Sequence, residues 1–144
     1  MAKIEVKKPP MDPEEYKAFL KEVELSAIVL DACSTKTNRN NIGSNMRLDI
    51  IHKANYKISK KNEGVISSSY DLTVTKSTKK DFALKLKCVY QVQLISEKPL
   101  LDDFMEIFTK VNTQMNTWPY FREFAQSMFQ RAGFPALTLP LLKR

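Results

Sequence analysis

Between Met46 and Leu94 polar and apolar side chains alternate with a period of two, and after Pro99 the period becomes that of a helix. In the first run Met46, Leu48, Ile50, His52, Ala54, Tyr56 and Ile58 share one face, against Arg47, Asp49, Ile51, Lys53, Asn55 and Lys57. Lys60-Lys61-Asn62-Glu63-Gly64 reads as a turn in which Gly64 can take φ > 0. Ile66, Ser68, Tyr70, Leu72 and Val74 form the next inward set, and Ser77-Thr78-Lys79-Lys80-Asp81 the next turn. Phe82, Leu84, Leu86, Cys88, Tyr90, Val92 and Leu94 form the last set. Upstream, Val23, Leu25, Ala27 and Val29 alternate with Glu22, Glu24, Ser26 and Ile28, which predicts a strand to about Cys33. Thr35 to Asn45 reads as a loop. Short connections favour an antiparallel meander, and its apolar face must be covered.

The cover is found downstream. Leu100, Phe104, Ile107, Phe108, Val111 and Met115 form one helical stripe, with Asp102 and Asp103 in the first turn where the helix dipole favours them. Thr117-Trp118-Pro119 predicts an interruption, after which Pro119 opens a second helix bearing Tyr120, Phe121, Phe124, Ala125, Met128 and Phe129. Gly133 suits the position after the helix and Pro135 enforces the stop, leaving Phe134, Leu137, Leu139, Leu141 and Leu142 extended. At the other end, Asp12-Pro13-Glu14-Glu15 reads as the start of a short helix to about Leu20, preceded by a charged tail. The expected fold is α+β: a four-stranded antiparallel sheet, a long helix, a Pro-containing crossover loop and a second helix. Residues 22–144 form a single domain in this reading, and residues 1–21 a tail and short helix.

Several function classes lose support at this point. A chain of 144 residues can bury about two-thirds of its unfolded surface, so it needs neither disulfide nor metal to fold. Cys33 and Cys88 sit in apolar stretches, lack CxxC spacing and read as buried free thiols of a reducing, cytoplasmic compartment. The N-terminus has no apolar core of a secretory signal. His52 stands alone on an apolar strand face, and no nucleophile elbow, P-loop, dinucleotide fingerprint or zinc motif is present. With 3 glycines in the chain, a phosphate-cradling loop cannot be built. An enzyme, a cofactor and a metal site are therefore not expected.

Charge and aromatic content leave two classes. Residues 34–87 hold 12 basic and 4 acidic side chains, a net of +8 against +7 for the whole chain. That excess admits a basic nucleic-acid-binding or structural interaction module as an alternative, although aromatics do not alternate with the lysines as base stacking requires. The other class is apolar recognition. Phe104, Phe108, Trp118, Tyr120, Phe121, Phe124, Phe129 and Phe134 exceed what two short helices need to cover a four-stranded sheet. Such a surplus marks an oligomer interface or a binding groove.

The last third also carries a motif. Trp118-Pro119-Tyr120-Phe121-Arg122-Glu123, followed by Arg131-Ala132-Gly133-Phe134-Pro135-Ala136-Leu137-Thr138-Leu139, resembles the SecB export chaperones. That family has aromatic-Pro-Tyr-x-Arg-Glu, a spacer, then Arg-x-x-Phe-Pro-x-Leu-x-Leu. The resemblance implies an ATP-independent holdase, a homotetramer built as a dimer of dimers, holding unfolded preproteins in apolar grooves. By position, the groove would use Met46, Leu48 and Ile50 from the second strand, Trp118, Tyr120 and Phe121 from the crossover, and Phe124 and Met128 from the second helix. The first helical stripe, with Phe104, Phe108, Val111 and Met115, would supply the oligomer interface. Family members dock the motor SecA on an acidic sheet face, whereas the corresponding strands here carry Lys57, Lys76, Lys79, Lys85 and Lys87. SecB-like proteins also serve as antitoxin chaperones in toxin–antitoxin systems, where a basic member of this kind, or one carried on a mobile element, would fit.

Overall fold

In a computed structural model the chain forms α1 (Pro13–Leu20), β1 (Val23–Thr37), a 3-10 turn (Arg39–Asn41), β2 (Met46–Lys60), β3 (Glu63–Lys76), β4 (Phe82–Ser96), α2 (Asp102–Val111) and α3 (Thr113–Arg131). The structure describes residues 11–76, 81–135 and 139–140. The expected N-terminal tail, most of the 77–81 turn and most of the extended C-terminal stretch lie outside the described residues.

All strand pairs are antiparallel, and the order across the sheet is β1-β4-β3-β2. The meander expectation holds for β2, β3 and β4, but β1 pairs with β4 and not with β2. The result is a Greek key. Residues 38–45 make the long connection across the end of the sheet. Three interstrand steps span roughly 14 Å, well within the reach of such a segment. Two contacts fasten it: Asn38 N–H donates to Ala83 O at 2.8 Å, and the buried Asn41 donates from Nδ2 to Phe82 O at 3.1 Å.

The expected phase is correct along β2 and β3, where the inward positions are the buried or half-buried ones. It fails where the ladder is irregular. Register shifts between Leu25 and Ala27 and between Leu30 and Ala32 re-aim β1, so Leu25, Ile28, Leu30 and Cys33 share the helix side. Cys33 is exposed there, contrary to its expected burial, because β1 is an edge strand. The strand also runs past Cys33 to Thr37. Another shift leaves Ala83 unpaired, which turns Phe82 to the outer face beside Lys85, whose Nζ lies 4.6 Å from the ring centre. Gly64 does not take φ > 0; a Cβ there would stand 2.8 Å from Met105 Cε, so close packing of α2 is what requires glycine.

The helices cover one face of the sheet. The helix break falls at Asn112, not at 117–119, and Pro119 lies inside α3. No crossover loop separates the helices. Proline's fixed φ fits a helix and costs one backbone bond, while Trp118 and Phe121 on either side are buried against the sheet. Phe121 stacks on Tyr70 with centroids 4.4 Å apart and planes 6° from parallel. The short N-terminal helix is capped as expected, by Asp12, and it docks on α2. Phe19 and Tyr16 pack on Phe104, and Tyr16 donates its hydroxyl proton to Asn112 Oδ1 at 2.6 Å.

The end of α3 is a Schellman motif. Phe134 N–H donates to Phe129 O, Gly133 N–H to Gln130 O, and the rings of Phe129 and Phe134 sit 6.0 Å apart. Gly133 has φ 75°. Gly133→Ala should therefore destabilise the fold by about 1 kcal/mol, the cost of a Cβ in the left-handed region, read as a lower urea midpoint with an unchanged slope.

Candidate functional site

α3 crosses over β3 and β4, and its rotation decides which side chains are buried. Phe121, Ala125 and Phe129 recur at one-turn spacing and are fully buried with Tyr70, Leu72, Leu84 and Leu86. Tyr120, Phe124 and Met128 form the next ridge, which is exposed at Tyr120 and half-buried beyond it. This ridge starts over β4, where Tyr120 lies 6.4 Å from Tyr90. The opposite ridge holds the C-terminal segment: Trp118 Nε1–H donates to Pro140 O at 3.0 Å and Arg122 Nε–H to Leu139 O at 2.7 Å.

The eight expected groove residues thus divide into three groups. Met46, Leu48 and Ile50 are half-buried at the β2 edge and pack against the main core cluster, as do Ile42 and Ala132. Tyr120, Phe124 and Met128 lie on the α3 ridge that begins two strands away. Trp118 and Phe121 are buried in the protomer and do not form an open wall. The expected interface residues divide as well. Phe104 and Phe108 are buried against α1 and the sheet, whereas Val111 and Met115 are 41% and 51% exposed.

Periodicity missed a further apolar surface. Leu30 faces the helix side opposite Tyr90 and is 44% exposed, near the Tyr120 ridge. The bulges conceal it, because strict alternation assigns Ile28 and Leu30 to the polar face. Ile42 was missed because it stands alone among polar loop residues.

A polar chain ties β2 and β3 to α3. His52 Nε2 lies 2.7 Å from Ser68 Oγ, which lies 3.0 Å from Thr117 Oγ1. Tyr70 Oη reaches Thr117 Oγ1 at 2.8 Å, and Thr117 donates to Thr113 O at 2.9 Å. One proton inventory satisfies each link: Nε2–H to Ser68, Ser68 to Thr117, Tyr70 to Thr117. Burial lowers the pKa of His52 below its ordinary value, so the ring is neutral at pH 7. Burial likewise raises the Tyr70 phenol. Ser68 was the available signal, a hydroxyl at an inward position between Ile66 and Tyr70. His52 is thus a satisfied structural histidine. Among the described residues no group of His, Cys, Asp and Glu could hold a metal ion. A separate depression of about 260 Å³ lies between β2 and α2, lined by Ala54, Tyr56, Glu106 and Thr109 among others.

No protein-family model and no curated protein matches the chain. Solved structures do. Mycobacterium tuberculosis Rv1957, a SecB-like chaperone in complex with a ChAD peptide from the Rv1956 HigA1 antitoxin, superposes with a TM-score of 0.79 at 15% identity, covering 90% of this chain and 98% of that one. The fold is that of a SecB-like chaperone. A protein of unknown function from Streptococcus agalactiae matches with a TM-score of 0.50 at 9% identity, over 83% of this chain and 98% of that one. Among the described residues no helix is long and apolar enough to cross a membrane.

In this SecB-like fold the His52 chain gives stability a pH dependence of defined sign. The unfolded histidine takes its proton near 6.5, while the folded one resists it to a lower pH. Its contribution is complete above that value and is lost as pH falls below it. Urea midpoints should drop between about pH 7.5 and about pH 5.5 in the wild-type protein, and the drop should shrink in His52→Gln. An equal drop in both would remove His52 as its source.

Proposed function

We propose that this chain is an ATP-independent holdase that binds unfolded polypeptides, preproteins or an antitoxin, along the apolar margins of its helix layer. The observation that carries the reading is the incompletely buried apolar side chains at both margins: half-buried Met46, Leu48 and Ile50 at the β2 edge, and exposed Tyr120 with half-buried Phe124 and Met128 on the α3 ridge. An extended client buries alternate side chains on such surfaces and pairs its backbone with an open strand edge, and β2 offers one. Methionine and aromatic linings repack, so they accept many sequences. The likeness in fold to a chaperone that holds an antitoxin peptide supports a polypeptide as the ligand class.

In this reading the working form is a cytoplasmic homotetramer, a dimer of dimers. The exposed Val111 and Met115 are offered to a neighbouring subunit, with Phe104 and Phe108 packed behind them. Lys53, Lys57, Lys85 and Lys87 stand at outward positions of their strands, and Lys36 pairs directly with Lys85 across β1 and β4. Like charges directly opposite repel, so this face favours acidic client segments and disfavours the SecA contact that acidic SecB proteins make.

Three measurements check the reading. Leu48→Asp, at a half-buried position of the edge strand, and Tyr120→Asp, at an exposed one, should each weaken binding of an unfolded apolar peptide by about tenfold or more. Unchanged affinity in both would refute these margins as the site. Affinity for that peptide should hardly change with salt, whereas phosphate-backbone binding would fall steeply. Met115→Asp should lower the light-scattering mass below that of a tetramer; a wild-type monomer would overturn the assembly.

A further inference from the structure

Cys33 and Cys88 are direct register partners on neighbouring antiparallel strands. Residues directly opposite in such a pair project to the same face with Cα atoms about 4.5–5.5 Å apart, inside the range that a disulfide spans. Both thiols are free, yet their surroundings differ: Cys33 is exposed on edge strand β1, and Cys88 is fully buried on β4.

We propose that Cys33 and Cys88 form a reversible cross-strand disulfide, with Cys33 as the peroxide-reactive thiol and Cys88 as the resolving one.

The asymmetry sets the order of events. Burial pushes the Cys88 thiol up to about 12, the nearby Cys33 adding to the effect, so Cys88 is inert toward oxidants in solution. Cys33 is the thiol that a hydroperoxide can reach. Its sulfur attacks the terminal peroxide oxygen, the O–O bond breaks, and the alcohol, or water from hydrogen peroxide, leaves with the thiol proton. Cys33 is now a sulfenic acid. The Cys88 thiol gives up its proton, its sulfur displaces the hydroxyl group from Cys33, the S–S bond forms and water departs. Two thiols lose two electrons in total and one peroxide is reduced. The high pKa of Cys88 makes the second step the slow one and speeds it as pH rises.

The bond would tie edge strand β1 to β4 next to the second bulge, between Leu30 and Ala32. That is where the exposed Leu30 and the Tyr120 ridge approach each other, so oxidation stiffens this margin of the helix layer. The inference does not depend on what the margin binds.

The test uses the full chain treated with hydrogen peroxide, followed by intact mass and peptide mapping under non-reducing conditions. The expected product has lost two hydrogen atoms, links the Cys33 and Cys88 peptides within one chain, and reverts with dithiothreitol. Cys33→Ser, at an exposed position, should keep the fold and leave Cys88 unmodified. Cys88→Ser should leave a sulfenic acid at Cys33 that dimedone traps. Hydrogen exchange along β1 should slow in the oxidised wild-type protein. The proposal is overturned if peroxide yields only sulfinic or sulfonic acid at Cys33, only interchain Cys33–Cys33 links, or oxidation of Cys88 in Cys33→Ser.

Discussion

Tyr70 stacked on Phe121 is the contact through which the sheet and its helix layer hold each other in place. Tyr70 occupies an inward position on β3, one of the two central strands, and touches the rings of His52, Tyr90 and Trp118 as well. Its hydroxyl is held by Thr117, one turn before Phe121. Ring and hydroxyl together fix how α3 is rotated about its axis. Once Phe121 points inward, Ala125 and Phe129 follow it into the core. The Tyr120 ridge is left half open on one flank, and Trp118 and Arg122 reach the C-terminal segment on the other. A rotation by one residue would bury Tyr120 and expose Phe121, exchanging a packed core for a solvated one.

Much of this was legible in the sequence because regular β-structure enforces its own period. Arg47 through Lys57 alternate with apolar neighbours over the whole of β2, and every inward position was read correctly. Capping chemistry was equally readable, at Asp12 and at Gly133, because each satisfies backbone groups through purely local bonds. The failures share another cause. Strand order, the two bulges of β1 and the unpaired Ala83 are decided by contacts distant in sequence, and none leaves a local mark. Pro119 misled for a related reason: its helix-breaking tendency is local, while the burial of Trp118 and Phe121 that overrides it is tertiary.

The candidate site was half legible. The motif around Trp118 and Arg122 is read as a ligand-contacting one, whereas these two side chains fasten the chain's own C-terminal stretch. The open apolar surface belongs to their neighbours, Tyr120, Phe124 and Met128, and to β2. A residue pattern that recurs because it stabilises a fold is easily read as one that contacts a ligand. Burial separates the two, since a ring at 0% exposure, like Phe121, meets nothing from outside until the protein opens.

The Greek-key connection has a consequence for how the molecule is assembled during synthesis. β1 emerges from the ribosome long before β4, its partner in the sheet, has been made. The β2–β4 hairpins close from neighbouring residues, whereas β1 must wait, with Leu25, Val29 and Leu30 uncovered, until residue 96 is available. Closing that long loop is the late, slow event in the folding of the sheet. During that interval the nascent chain displays the same kind of sticky, unpaired strand that we propose the finished protein shields in others.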